Sequence, residues 1–324
     1  MSSLKSIKAP IKNEIKEFEQ VFKNSMRSNV PLLNIVTNYI LKTKGKQIRP
    51  IFVFLSAKLH GAITQSTYNA ATLVELMHTA TLVHDDVVDE SYQRRGFFSI
   101  NALWKNKISV LIGDYLLSKG LLLAVHNKEF DTLQIISDAV REMAEGELLQ
   151  MEKARKLKTT EEVYFEIIRK KTATLLAACT AAGTKSVNAD EKTVEKMRLF
   201  GEYVGIAFQI KDDLFDYQSD NKTGKPSGND IQEKKMTLPL IYSLNKSNGN
   251  IRRSIKKIIS KHNNDSKKVQ EIIDFVQNSG GIQYAEEKMK EYQTLALNIL
   301  KEFPENQARE SLFELVDFVI ERKK

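Results

Sequence analysis

The chain is poor in the residues that make cross-links, turns and strands. Among 324 residues it has one cysteine, Cys179, so no disulfide framework can form, and a reducing, cytoplasmic setting is expected. Glycine (14) and proline (6) are scarce, and Leu, Lys, Glu, Ala and Ile dominate, which favours helices. No uninterrupted apolar run approaches the ~18 residues that span a bilayer. The opening "MSSLKSIKAP" lacks the apolar core of a signal peptide. There is no nucleic-acid motif and no basic run interleaved with aromatics. The net charge of +8 is therefore read as solvated helix faces, as in "IRRSIKKIISKH" (251–262), and not as a nucleic-acid footprint.

What is present is helical period. Apolar residues recur at three- and four-residue spacing almost throughout, and no stretch reads convincingly as a strand. The expected fold is all-α, one domain over 1–324. Pro31 and Pro50 stand where helices could begin, and Pro304 stands in a polar break before the last one. "TTEE" (159–162) has the form of a capping box. Segments 70–84 and 172–183 are apolar nearly all round, so they should be central. The longest break is "QSDNKTGKPSGNDIQEKK" (218–235), and loops of that length in compact domains are usually functional.

Two acidic clusters interrupt the apolar pattern. "VHDDVVD" carries Asp85, Asp86 and Asp89, and 127 residues later "QIKDDLFD" carries Asp212, Asp213 and Asp216. On a helix, positions i and i+4 share a face, so Asp85 pairs with Asp89 and Asp212 with Asp216. Asp86 and Asp213 lie about 100° round and would support the others or bind more weakly. Like charges at this spacing destabilise a bare helix slightly, and a hard divalent cation reverses the sign. Mg²⁺ bridges one or two carboxylates to a substrate phosphate. Two such helices facing each other across an apolar cavity would clamp a diphosphate through its metals. One DDxxD alone reads equally well as an acidic surface turn; two copies embedded in apolar helix favour metal. A His-Asp metallohydrolase would need further histidines, and none of the five lies near the second cluster.

Basic residues follow the same logic. "GKQIRP" (45–50) holds Lys46 and Arg49 ahead of a helix expected near Pro50, and "RRG" (94–96) holds Arg94 and Arg95. Arginine takes phosphate bidentately and lysine acts as a point charge. "GKQIRP" lacks the pattern of a phosphate-binding Walker loop. Either motif alone reads as surface charge.

Taken together, "GKQIRP", "HTATLVHDDVVDESYQRRG", "GDYLLSKG", "RKKTATLLAAC", "GIAFQIKDDLFDY", "GKPSGND" and "KKMTLPLIY" resemble, in order, the trans-isoprenyl diphosphate synthases of the polyprenyl synthetase family. The resemblance covers roughly residues 45–243. One departure is Lys234, where the family's segment has glycine. The resemblance implies a helical bundle around a central apolar cavity with metal-binding aspartates at its mouth. It implies a Mg²⁺-dependent condensation of isopentenyl diphosphate with an allylic diphosphate, a homodimer, and at most peripheral membrane contact for product release. It assigns Lys46, Arg49, His78 and Arg95 to isopentenyl diphosphate. It assigns Asp85, Asp89 and Asp212, with Asp216 in support, to three Mg²⁺ ions. Arg94, Lys171, Thr172, Gln209, Lys225 and Lys235 are implied contacts of the allylic diphosphate, with Lys171, Thr172 and Gln209 nearest the chemistry.

In this family, large aromatics at the fourth and fifth positions before the first aspartate stop the chain early. Here those positions hold Thr81 and Ala80, with Met77 a turn further back. A product of C30 or longer is expected, of the octaprenyl type that supplies quinone side chains. The rival readings are a short-chain farnesyl or geranylgeranyl synthase, a terpene cyclase and a non-catalytic partner subunit. A cyclase would leave Lys46, Arg49 and Arg95 unexplained, and a partner subunit tends to lose an aspartate motif.

Overall fold

The protein was analysed as a computed structural model, which describes residues 4–94, 96–217 and 228–320. A short N-terminal turn, α1 (Leu4–Ile7), leads into α2 (Lys12–Ser25), whose Phe18 and Phe22 face inward. Helix α3 (Pro31–Lys42) begins on Pro31, a residue suited to a first helical position. Helix α4 (Ile48–His60) starts two residues before Pro50, so Arg49 sits inside its first turn and not ahead of it. Helix α5 (Gln65–Val88) carries the first aspartates at its C-terminal end.

A hairpin follows. Strands β1 (Gln93–Arg94) and β2 (Phe97–Phe98) pair antiparallel, with Gln93 opposite Phe98 and Arg94 opposite Phe97. No strand was legible from the periodicity, because two residues are too few to display a period of two. Helix α6 (Ile100–His126) opens on Ser99, whose hydroxyl accepts from the Ala102 N–H at 3.0 Å. Lys105 interrupts its regular geometry at φ 67. By length and composition α6 could cross a membrane, although one third of its apolar window is buried. Its scattered charged residues hid this from a search for uninterrupted runs.

Helix α7 (Phe130–Lys156) precedes α8 (Glu161–Ile168). Thr160 caps α8, accepting from the Val163 N–H at 3.3 Å, so the cap falls one residue later than "TTEE" implied. A π-helical turn, Arg169–Ala173, separates α8 from α9 (Thr174–Lys185). Helix α10 (Glu191–Phe215) ends at the second aspartates. The remaining elements are α11 (Asn229–Gln232), α12 (Leu238–Lys246), α13 (Gly249–Lys261), α14 (Ser266–Asn278), α15 (Gly281–Lys301) and α16 (Gln307–Ile320).

These elements form two compact units. The first takes the chain up to Val140 with Ala178–Arg198 and Phe303–Glu314. Its axis is α5, buried from Thr67 to His78, as the all-round apolar pattern predicts. Its partner α6 approaches closely: a Cβ on Gly113 would lie 2.0 Å from His84 Nε2, and one on Gly120 would lie 3.0 Å from Leu73 and 3.2 Å from Met77. The second unit takes Arg141–Ala177, Leu199–Glu302 and the chain from Leu315. There α12 packs on α8, α14 and α15 around Leu238, Ile241, Ile272 and Ala285.

Candidate active site

In the first unit, the last turn of α5 presents the "DDVVD" carboxylates. Asp85 is exposed, and Asp89, also exposed, occupies the C-cap with its N–H donating to the Asp85 carbonyl at 2.8 Å. Asp86 points the other way and is buried. The hairpin brings Arg94 back to it, Nε donating to Oδ1 at 2.8 Å. Burial raises the Asp86 pKa, against the opposing pull of the Arg94 guanidinium. The two therefore fix each other: Asp86 sets the direction of Arg94, and Arg94 keeps a desolvated carboxylate tolerable. Arg49, Glu75, His78, Asp86 and Arg94 line one pocket, rimmed by Phe97 and Phe98. Lys46 is exposed and not among its lining residues. Arg95 lies outside the described residues. Back along α5, Ala80 and Met77 are buried, and Thr81 donates its hydroxyl to the His78 carbonyl at 2.8 Å.

The second unit assembles a different pocket, lined by Tyr164, Lys171, Thr172, Gln209, Asp213, Asp230 and Lys235 among others. The π-helical turn makes it. Its three consecutive cations all reach acids of α7: Arg169 to Glu142 at 2.9 Å, Lys170 to Glu145 at 3.0 Å, and Lys171 to Glu147. Two glycines leave room for the widened turn. A Cβ on Gly146 would stand 2.7 Å from the Lys171 nitrogen, and one on Gly205 would stand 2.4 Å from Ala173 Cα. The capping box at 159–162 and the apolar segment 172–183 showed no interruption between them. The bulge is imposed by neighbouring helices and leaves no local signal, and such bulges favour functional sites.

From this turn a chain of hydrogen bonds runs inward. Thr172 Oγ1 donates to Gln209 Oε1 at 2.8 Å, and Gln209 Nε2 donates to Asp213 Oδ1 at 2.8 Å. The buried Tyr164 hydroxyl donates to Asp213 Oδ2 at 2.7 Å. Burial pushes Asp213 up to about 6, although the Tyr164 and Gln209 bonds oppose it. Burial pushes Asp230 up to about 7, helped by the negative charges of Asp213 and Asp216. Lys235 is half-buried; burial lowers its pKa, but Glu233, Asp230 and Glu147 outweigh that and raise it. Tyr164, Glu147 and Asp230 were not singled out from sequence. Tyr164 precedes Lys171 by seven residues, two helical turns, which is the one signal that could have found it.

Asp216, expected on the same helical face as Asp212, lies beyond the end of α10. Its carboxylate accepts from the Asn229 N–H at 2.9 Å and the Asp230 N–H at 3.0 Å, opening α11. The other end of α11 explains the departure at Lys234. Lys234 adopts φ 59, its N–H donates to the Ile231 carbonyl at 3.0 Å, and the Lys235 N–H donates to the Asp230 carbonyl at 2.8 Å. That is the paired closure in which glycine normally occupies the left-handed position. Lys235 is thereby placed by backbone bonds despite the side chain at 234. Lys225 lies outside the described residues.

Among the described residues no three metal-ligating side chains converge into a cage. Mg²⁺ is commonly bound by one or two carboxylates plus substrate phosphates, so paired aspartates at helix ends suit it without such a cage.

The comparisons with known proteins agree with this chemistry. The family model described as polyprenyl synthetase matches residues 30–276. The chain is 36% identical over 318 residues to an all-trans-nonaprenyl-diphosphate synthase (geranyl-diphosphate specific) of Rhodobacter capsulatus, covering 98% of this chain and 97% of that one. It is 34% identical over 292 residues to a short chain isoprenyl diphosphate synthase of Methanothermobacter thermautotrophicus, covering 89% of each. The crystal structure of a polyprenyl synthase from Caulobacter crescentus, complexed with calcium and isoprenyl diphosphate, superposes with a TM-score of 0.91 at 32% identity, over 99% of this chain and 98% of that one.

Proposed function

Because the chain belongs to the polyprenyl synthetase family and is a prenyl diphosphate synthase, we propose that it extends an allylic diphosphate to an all-trans product of C30 or longer, for a quinone side chain. The observation that carries the length is the pair of small residues, Ala80 and Thr81, five and four positions before Asp85. Relatives of similar identity are named for both long and short products, so identity alone does not choose.

In this reading Asp85, Asp89 and Asp212, with Asp216 in support, hold Mg²⁺, three ions per site. When bound, the ions supply Lewis acidity to the leaving diphosphate. Lys46, Arg49, His78 and Arg95 receive isopentenyl diphosphate. Arg94, Lys171, Lys225 and Lys235 neutralise the allylic diphosphate. The allylic C–O bond breaks with its electron pair leaving on diphosphate. The terminal double bond of isopentenyl diphosphate attacks the resulting cation, a carbon–carbon bond forms, and a proton is lost to the released diphosphate. Thr172 and Gln209 turn dipoles toward the cation. Apolar walls exclude the water that would quench it.

A second copy of the chain covers α6 in the proposed homodimer. Leu111, Leu121, Leu122 and Val125 are exposed on that helix, at 61%, 46%, 50% and 49%. So much apolar surface on one helix fits an interface. A reducing cytoplasm suits the lone buried thiol, Cys179.

The test is one incubation of purified chain with Mg²⁺, farnesyl diphosphate and labelled isopentenyl diphosphate, with products dephosphorylated and sized. A ladder reaching C30 or beyond is expected. A stop at C20 moves the reading to a geranylgeranyl-type synthase. Diphosphate release without incorporation moves it to a cyclase, and no reaction to a partner-dependent subunit.

A further inference from the structure

The relay in the second pocket has a direction, and one residue sets it. Both carboxylate oxygens of Asp213 act as acceptors: Oδ2 from the Tyr164 hydroxyl at 2.7 Å and Oδ1 from the Gln209 amide nitrogen at 2.8 Å. The Gln209 amide is thereby oriented, and its oxygen must face Thr172. Thr172 can meet an amide oxygen only as donor, at 2.8 Å. Its one proton is then committed, and only lone pairs remain for the pocket it lines. Tyr164 is 3% exposed, and among the described residues its phenol has no other acceptor.

We propose that Asp213 is a positioning residue: held by Tyr164, it sets the direction of the relay so that Thr172 presents lone pairs, and no O–H, to the allylic cation. This rests on the reading of the pocket as a prenyl-transfer site. Asp213 does not touch the cation; it acts through Gln209 and Thr172. The opposite relay would aim an O–H dipole at developing positive charge. Preorganised dipoles of this kind are worth about a hundredfold or more in rate.

Asp213→Asn reverses the relay. The Tyr164 phenol must still donate, so the Asn oxygen turns to it and the Asn amide nitrogen faces Gln209. Gln209 then flips, and Thr172 accepts from it and points its proton at the pocket. Removing the phenol as well, in the double variant Asp213→Asn with Tyr164→Phe, frees the Asn to turn back and restores the original direction. Both variants lose the same charge, so their difference isolates direction.

The experiment measures kcat, and separately the binding preference for an ammonium analogue of the allylic cation over its neutral carbon isostere, each with inorganic diphosphate. In Asp213→Asn, kcat should fall about a hundredfold and the preference for the ammonium analogue should vanish. In the double variant both should recover about tenfold. A double variant no better than Asp213→Asn in either readout overturns the proposal, because a merely structural role makes the second substitution add damage. If Asp213→Asn does not fold, Thr172→Ser and Thr172→Val decide: the preference should survive serine and be lost with valine, and equal preference in both overturns the proposal. A wild-type chain without prenyl transfer would sink the reading of function, while the binding arm would still decide the relay.

Discussion

Gly205→Ala tests whether the π-helical turn aims the reacting groups. The new Cβ would lie 2.4 Å from Ala173 Cα, 2.8 Å from its Cβ and 3.2 Å from its carbonyl oxygen. None of these is the end of a flexible side chain. Ordinary contact begins at 3.4 Å, so the turn and α10 must separate by about 1 Å (3.4 − 2.4). Thr172 precedes Ala173, and Gln209 stands one helical turn beyond Gly205. The displacement therefore falls on the 2.8 Å bond between them and opens it past hydrogen-bonding reach. Stability should change little. Overpacking costs ~1–3 kcal/mol, and replacing a mid-helix glycine with alanine recovers ~1 kcal/mol. Activity should change much more, since a misplacement of about 1 Å can cost about a hundredfold. Initial rates of labelled isopentenyl diphosphate incorporation and a thermal melt measure the two. A rate within about threefold of wild type, with an unchanged melt, would refute the reasoning, because the turn would then have room that the geometry denies it.

Ala80→Tyr should shorten the product well below C30: five residues at ~1.5 Å place the ring only ~7.5 Å along the helix from Asp85. An unchanged product ladder would remove the open-tunnel argument. Leu122→Glu on the exposed face of α6 should halve the mass measured by light scattering; a mass insensitive to it would place the second copy elsewhere. His60 is lowered to about 4 by burial, edge-on to Phe303. Its folded form stays neutral while the unfolded chain takes up a proton near 6.5. Stability present above that pH is therefore lost as pH falls toward 4, by on the order of 2 kcal/mol after allowance for partial exposure. Urea melts at pH 7 and 5 should show that loss, and His60→Phe should abolish it. Lys234→Gly should raise stability by about 1 kcal/mol by relieving the left-handed backbone, with the melting temperature as readout; a fall would mean that the side chain at 234 contributes more than the strain costs.

The helices, the all-round burial of α5 and α9 and the two aspartate motifs were legible because each repeats at a period that a single segment displays. The motif order was specific enough to name a family. What stayed hidden depends on partners distant in sequence. The π turn exists because Gly146 and Gly205 on other helices admit it. Asp213 and Asp216 carry the same side chain three residues apart, yet one orients a glutamine and the other opens α11, because different groups meet them. The helical wheel placed Asp86 correctly off the face of Asp85 and Asp89, but only the hairpin reveals that it holds Arg94.

Asp216 has one more consequence. Its carbonyl receives the Gly228 N–H at 3.0 Å, and its carboxylate receives the next two amides. The chain thus leaves Asp216 and returns to it, a ring fastened at a single residue. Whatever length lies between, the fastening fixes where α11 begins, and with it Lys235. The position of Lys235 is therefore held by the backbone and carboxylate of Asp216, so a change at that one aspartate reaches a lysine nineteen residues away.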